Sequence, residues 1–151
     1  LDEPTSALDV SVQAQILNLL RDLRARLGVT SLFITHNLSV VRLMADRIGV
    51  MYLGEIVELA PTEALFADPK HPYTRLLIDA APDLDPDDRA LHPIPGELPD
   101  PSKPPTGCTF RTRCPYAQAL CARDHPQLRP VAEGWVRCHF DLVPQSLTVP
   151  E

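Results

Sequence analysis

The chain has 151 residues, a formal net charge of −6 and 44% hydrophobic residues. This composition allows a modest core, and the acidic balance with no basic tract argues against nucleic-acid binding. The sequence has no apolar run near the roughly 18 residues that span a bilayer, and its first residues carry no secretion signal. We therefore expect a soluble, cytoplasmic chain, with any membrane association supplied by a partner.

The first nine residues form the most informative motif, Leu-Asp-Glu-Pro-Thr-Ser-Ala-Leu-Asp. Two adjacent acids, Asp2 and Glu3, lie where a strand is expected to end; an ordinary exposed acidic turn is the alternative interpretation. Phosphoryl transfer needs a carboxylate for magnesium and a group that orients the attacking water. The motif resembles the Walker B segment and D-loop of an ATP-binding cassette (ABC) ATPase.

That resemblance implies a role for each polar residue of the motif. Asp2 holds the magnesium ion of Mg²⁺–ATP through its hydration shell, and Glu3 polarises the water that attacks the γ-phosphate. Ser6 and Asp9 belong to the D-loop, near the interface where two cassettes meet head to tail. Because the motif stands at residue 1, we expect the chain to be the C-terminal fragment of a longer ATPase.

The next segment predicts a helix, a strand and a second helix. Apolar residues recur at helical spacing between Asp9, a plausible N-cap, and Gly28, a plausible left-handed C-cap. Residues 30–35 are typical of a short buried strand, and Asn37 can cap the helix that follows. His36 therefore lies at a strand-to-helix corner, where the ABC resemblance implies contact with the γ-phosphate. The more frequent Asp after this His is replaced by Asn37.

Residues 47–81 predict a hairpin and two short helices. Strand-like runs at 47–52 and 55–59 flank the compact turn Leu53-Gly54, and helices are expected over 61–66 and 71–77. The stretch Asp68-Pro-Lys-His-Pro-Tyr73 is similar to the sequence with which oligopeptide and dipeptide importer ATPases begin their own C-terminal extension. We interpret His71 and Tyr73 as structural residues. Residues 1–81 are thus assigned to the C-terminal part of a P-loop ABC ATPase domain of the α/β class.

Residues 82–107 predict a proline-rich linker, with eight prolines among 26 residues. Proline interrupts helices and favours extended backbone. The run Ile94-Pro-Gly-Glu-Leu-Pro99 also resembles the importer subfamily, which suggests a path packed on the protein.

All four cysteines lie in a predicted C-terminal module, residues 108–140, which is followed by a tail, residues 141–151. Their spacing is Cys108-x5-Cys114-x6-Cys121-x16-Cys138. Because disulfides are disfavoured in the cytosol, four thiolates on one metal centre are the main hypothesis, with two disulfides or buried free thiols as alternatives. Five nearby arginines could offset the charge of such a centre or simply be solvated. Phe110, Trp135 and Phe140 are expected in the small core.

The spacing leaves zinc and an iron–sulfur cluster open, because no Cys-x2-Cys pair is present. The residues around Cys108, Cys114, Cys121 and Cys138 resemble the C-terminal extension of peptide-importer ATPases, some of which hold a [4Fe–4S] cluster there. The resemblance therefore favours [4Fe–4S], with Zn²⁺ as the alternative.

The family resemblance implies an ATP-hydrolysing subunit that powers uptake of dipeptides or oligopeptides; nickel chelates are a further possible solute. The implied partners are a second ABC ATPase subunit and transmembrane permease subunits, with an extracytoplasmic peptide-binding protein acting indirectly. The implied location is the inner face of the cell membrane. The sequence has neither a Walker A loop nor an ABC signature, so the fragment alone is predicted to be inactive. The alternative is a metal-binding interaction module that docks on a transporter.

Overall fold

A computed structural model describes residues 1–81 and 93–141, which fall into two units, Leu1–Asp46 and Arg47–Glu151. The chain combines helices with paired strands, so the α/β class expected from the sequence is confirmed. Within the described ranges, no helix is both long and apolar enough to cross a membrane.

The first unit is built around helix α1, Val10–Leu27. The Asp9 carboxylate accepts hydrogen bonds from the N–H groups of Ser11 and Val12, both at 3.0 Å. Gly28 ends the helix with a φ of 61°, a left-handed conformation that glycine adopts without a steric cost. Both predicted caps are confirmed.

The predicted strand over residues 30–35 is reduced to a parallel contact with the first residues of the chain. The expectation that it is buried was wrong, because Leu32 and Ile34 are 77% and 52% exposed. The N–H of Glu3 donates to the carbonyl of Ile34, and the N–H of Ile34 donates to the carbonyl of Leu1, both at 2.8 Å. The regular pairing is limited to one bridge, Asp2 with Ile34. Helix α2, Leu38–Met44, follows with Asn37 as its N-cap, as predicted.

The second unit contains a four-stranded antiparallel sheet with the order β1-β2-β4-β3. The predicted hairpin is confirmed: β1 spans Arg47–Tyr52, and β2 spans Glu55–Pro61. Leu53 and Gly54 both have positive φ, 45° and 80°, as a two-residue type I′ turn requires. A second hairpin, β3 (Arg129–Val131) and β4 (Gly134–Val136), extends the sheet through pairing of β4 with β2.

Three short helices accompany this sheet: α3 (Thr62–Ala67), α4 (Pro72–Asp79) and α5 (Ala119–Arg123). The first two match the predicted helices, and Pro72 occupies the first position of α4. The core contains Phe110, whose ring packs against Tyr52 and Tyr73 with centroids 5.1 and 5.3 Å away. Placing Trp135 in the core was wrong, because 42% of its surface is exposed. Trp135 lies on β4 next to the buried Val136, and adjacent strand residues point to opposite faces.

The predicted linker is only partly described, because residues 82–92 lie outside the described part of the chain. Its remainder, residues 93–107, contains turns and extended backbone without helix or strand. The Arg113 guanidinium donates to the carbonyls of Pro95 and Ile94 at 3.0 and 3.3 Å, so this stretch is attached to the second unit. Of the predicted tail, only Asp141 is described. The division into linker, module and tail remains a prediction.

Candidate functional site

Glu3 and His36 meet although 33 residues separate them in sequence. The His36 ring N–H at Nδ1 donates to Glu3 Oε1 at 2.9 Å. The parallel bridge between Asp2 and Ile34 explains this contact, because it brings the ends of two extended segments to the same edge. Glu3 has a φ of 40°, which is unusual for a residue other than glycine and is found at functional sites. Both side chains reach solvent, with 47% of Glu3 and 77% of His36 exposed.

The other predicted residues of this motif occupy defined positions. Asp2 is exposed and directly precedes Glu3. The Ser6 hydroxyl donates to the Glu3 carbonyl at 3.1 Å, which closes the turn after the acid pair. Asp9 caps α1, and hydrogen bonds from Val12 and Ser11 lower the pKa of its carboxyl. The motif therefore forms one short structure that leads from the acid pair into α1.

His71 is a buried structural residue, as the sequence indicated. Only 1% of its surface is exposed, and its Nδ1 accepts the N–H of Tyr73 at 3.1 Å, which caps α4. Burial lowers the pKa of His71 to about 4, and a hydrogen bond to the Arg137 backbone opposes that shift. The ring is therefore neutral at pH 7.

Glu58 is a buried carboxylate that sequence reasoning missed. It lies on β2 with 1% of its surface exposed, and it accepts the N–H groups of Lys70 and His71 at 2.7 and 2.9 Å. Burial raises its pKa, against the opposing effect of these hydrogen bonds. The sequence carries no signal for this role of Glu58. Its carboxylate oxygens accept hydrogen bonds from backbone N–H groups that lie 12 and 13 residues further along the chain.

The four cysteines line a single pocket. They come from three places: the turns that carry Cys108 and Cys114, helix α5 with Cys121, and the segment after β4 with Cys138. Pro72, Phe110 and Phe140 supply apolar walls. All four are free thiols, so the disulfide alternative is not realised. The backbone N–H of Cys108 donates to the Cys121 carbonyl at 2.8 Å, which joins two of these segments directly.

The pocket raises the pKa values of the Cys108, Cys114 and Cys138 thiols. Burial raises the pKa of Cys114 to about 12, and the charges of Cys138, Cys108 and Cys121 add to this. Burial also raises the pKa values of Cys108 and Cys138. Without a cationic centre these three thiols are therefore protonated, and ligation of a metal would release their protons.

Among the described residues, no three His, Cys, Asp or Glu side chains are grouped so that they could hold a metal ion. His139 lines the cysteine pocket, but its Nε2–H donates to the Asp124 carbonyl at 2.9 Å. His125 does not line this pocket; its Nδ1–H donates to the Gly107 carbonyl at 3.0 Å. Both histidines thus have structural partners.

Arginines near the cysteines mainly bind backbone carbonyls, an arrangement that the sequence did not predict. Arg129 donates to the carbonyls of Cys138 and Phe140 at 2.9 and 3.0 Å. Arg137 donates to the Ile56 carbonyl on β2 at 3.0 Å. Their guanidinium groups therefore attach the segment around Cys138 to the sheet, in addition to carrying positive charge.

Tyr116 is a second residue that sequence reasoning missed. It lines the cysteine pocket, and its hydroxyl oxygen is shielded from solvent without a hydrogen-bond partner among the described residues. Burial raises the pKa of this hydroxyl, and the nearby Cys114 charge adds to the shift. Its position two residues after Cys114 was the available sequence signal.

Comparison with known proteins shows which proteins this chain is similar to. Residues 57–121 match the family model described as oligopeptide/dipeptide transporter, C-terminal region. The chain is 58% identical over 134 residues to a protein of Brucella ovis named for peptide import and ATP binding, covering 88% of this chain and 42% of that protein. It is 50% identical to a di/tripeptide transport ATP-binding protein of Pseudomonas aeruginosa, covering 91% and 43%. An oligopeptide transport ATP-binding protein of Bacillus subtilis is 51% identical, with coverage of 92% and 44%.

These matches define the chain as part of an ATP-binding subunit of an ABC transporter. Within that class, residues 57–121 match the C-terminal region of the oligopeptide/dipeptide transporter family. The chain spans about two fifths of the length of the curated relatives described above. The matches give no support to the alternative of a metal-binding interaction module.

Proposed function

We propose that the whole protein hydrolyses ATP to power peptide uptake, and that Glu3 and His36 form one half of its hydrolytic site. The contact of 2.9 Å between His36 Nδ1 and Glu3 Oε1 carries this proposal. It places an acid and an imidazole at the common edge of two parallel segments, where open α/β sheets bind ligands. The names of the relatives from Brucella ovis and Pseudomonas aeruginosa support a peptide as the transported solute.

The residues divide the reaction between them. Asp2 would hold Mg²⁺ through its hydration shell, and the ion neutralises the charge that develops on the phosphate oxygens. Glu3 orients the attacking water, whose oxygen bonds to the γ-phosphorus while the bridging P–O bond to the β-phosphate breaks. His36 contacts the γ-phosphate, and its hydrogen bond to Glu3 holds the two side chains in a fixed position relative to each other. Ser6 and Asp9 hold the D-loop conformation that would meet a second ATP-binding subunit.

The partners proposed for the whole protein are a second ATP-binding subunit and transmembrane permease subunits, with a peptide-binding protein acting on the outer side. The proposed location is the cytoplasmic face of the membrane.

Glu3→Gln tests the hydrolytic role, because an amide retains the shape of the side chain and lacks the carboxylate charge. In the full-length protein we expect ATP turnover to fall on the order of a hundredfold or more, by analogy with other transition-state contacts. Asp22→Asn is the matched control, since Asp22 is an exposed acid on α1. Equal turnover in both variants would refute the assignment of Glu3.

We further propose that Cys108, Cys114, Cys121 and Cys138 hold a [4Fe–4S] cluster. Three observations support the fit: four free thiols on one pocket, apolar walls, and the Tyr116 hydroxyl without a partner. Zinc, which needs all four sulfurs about 2.3 Å from one point, is the alternative. The four cysteines would hold a cluster through their thiolates, and the cluster would supply an electron-accepting centre.

The cluster proposal is tested by isolating the full-length protein without oxygen and measuring iron, acid-labile sulfide and zinc. We expect about four iron and four sulfide per chain, the composition of the cubane. Zinc without sulfide would replace the cluster with a structural zinc site. Absence of all three would remove the metal from this pocket and leave the ATPase proposal unchanged.

A further inference from the structure

The Tyr116 hydroxyl is a buried donor for which the described chain provides no acceptor. Its oxygen is closed to solvent, and no residue in 1–81 or 93–141 forms a hydrogen bond with it. A hydroxyl taken out of water without a partner costs free energy. The partner of such a group is to be sought outside the described residues.

Tyr116 is also tied to the cysteine pocket at two points. Tyr116 lines the pocket together with all four cysteines, and its backbone N–H donates to the Cys114 sulfur. A group in the pocket that accepts hydrogen bonds would therefore lie within the surroundings of this hydroxyl. Sulfur atoms of a thiolate-bound cluster are acceptors of this kind.

We propose that the Tyr116 hydroxyl donates a hydrogen bond to a sulfur of the cluster and thereby raises its reduction potential. Reduction adds negative charge to the cluster, and a donor aimed at sulfur stabilises that charge. The inference rests on the proposed cluster. It assigns Tyr116, in addition to the four cysteines, a part in setting the electronic properties of the centre.

Tyr116→Phe removes one oxygen and leaves the ring in place, and Tyr52→Phe is its matched control. The Tyr52 hydroxyl is also buried without a partner in the described chain, but Tyr52 does not line the cysteine pocket. Both variants and the wild type are prepared as full-length protein without oxygen. Iron and sulfide content, the midpoint potential by dye-mediated redox titration, and the melting temperature of the cluster-free protein are then measured.

We expect all three proteins to hold equal iron and sulfide, with a more negative potential for Tyr116→Phe only. We also expect cluster-free Tyr116→Phe to melt no lower than the wild type, because the oxygen that it lacks has no partner in that state. Loss of iron from Tyr116→Phe with an unchanged cluster-free melting temperature would likewise support a contact with the cluster.

Equal potentials in all three loaded proteins would overturn the inference while leaving the cluster in place. A lower melting temperature for cluster-free Tyr116→Phe would also overturn it, because the hydroxyl would then have a protein partner. If the wild-type protein contains neither iron nor sulfide, both the proposed cluster and the role of Tyr116 are refuted.

Discussion

The carboxylate of Glu58 accepts the backbone N–H of His71 at 2.9 Å, so a residue of β2 fixes the turn at which α4 begins. The same carboxylate accepts the N–H of Lys70 at 2.7 Å. The His71 ring then caps α4 through the N–H of Tyr73. The turn before α4 is thus attached to the hairpin, because the Glu58 carboxylate binds two of its backbone N–H groups.

Glu58→Gln should destabilise the protein at neutral pH. An amide offers one oxygen to two N–H donors, so one buried N–H loses its acceptor, at a cost of about 1–3 kcal/mol. Urea denaturation of the full-length protein measures the loss. Glu63→Gln, at an exposed position of α3, is the control and should leave the midpoint unchanged. A wild-type midpoint for Glu58→Gln would show that the two hydrogen bonds do not contribute.

His71→Asn should flatten the dependence of stability on pH. The pKa of His71 is about 4 in the folded chain, against an ordinary value of 6.5. The unfolded state therefore binds the proton first, and stability is lost as the pH falls from 6.5 towards 4. The free energy of unfolding should fall by an amount on the order of 3 kcal/mol. This follows from the difference between the two pKa values at about 1.4 kcal/mol per pKa unit.

Asn retains an acceptor for the N-cap and does not titrate, so this slope should disappear although overall stability falls. Denaturation midpoints at several pH values between 4 and 7 measure the effect. The wild type, measured at the same pH values, is the reference. An unchanged slope in His71→Asn would assign the acid sensitivity to other groups.

Gly107→Ala should disrupt the cysteine pocket. Gly107 has a φ of 70°, and a Cβ there would lie 2.3 Å from the Cys121 carbonyl. That carbonyl accepts the N–H of Cys108, so any shift separates two proposed ligands. Gly28→Ala is the control, because Gly28 has a similar φ of 61° but open space around it.

The left-handed conformation alone costs roughly 1–2 kcal/mol for a residue other than glycine. We therefore expect this loss in Gly28→Ala and a clearly larger one in Gly107→Ala, with reduced iron content only in the latter. Chemical denaturation and iron analysis provide the two measurements. Equal losses in the two variants would argue against the close approach at Gly107.

Arg113→Lys should release the stretch that precedes the cysteines. The guanidinium binds the carbonyls of Ile94 and Pro95 together, and an ammonium cannot reproduce this fork. We expect faster hydrogen exchange at the amides of residues 96–98, read by mass spectrometry. Arg123→Lys, at an exposed position of α5, should leave the exchange unchanged. The same result for both variants would mean that other contacts attach this stretch.

His36→Ala in the full-length protein should lower ATP turnover far more than nucleotide affinity. The imidazole is proposed to act on the γ-phosphate during the reaction, and removing one such contact costs about a hundredfold in rate. Steady-state turnover and equilibrium binding of a nucleotide analogue separate the two effects. Unchanged hydrolysis would exclude His36 from the site.

Local features of the fold were predictable from the sequence. Asp9, Asn37 and Gly28 act on backbone groups within a few residues, so their neighbours along the chain suffice to define them. The two-residue turn at Leu53-Gly54 likewise defines its own hairpin. Motif spacing also predicted the family, because the residues of the acid pair and of the His-Pro-Tyr stretch are contiguous.

Contacts between distant groups depend on the packing of the whole chain. The contact of Glu3 with His36, the common pocket of the four cysteines and the pairing of β4 with β2 each join residues far apart in sequence. The exposure of Trp135 depends on which face of a three-residue strand is covered, and so short a strand shows no periodicity of its own. Caps, turns and the identity of the motifs could be predicted from the sequence, because they depend only on residues that are close along the chain. Three features could not be predicted from the sequence, because they depend on neighbours that folding brings together. They are the burial of side chains, the carbonyl groups that the arginines bind, and the Tyr116 hydroxyl without a partner in the described residues.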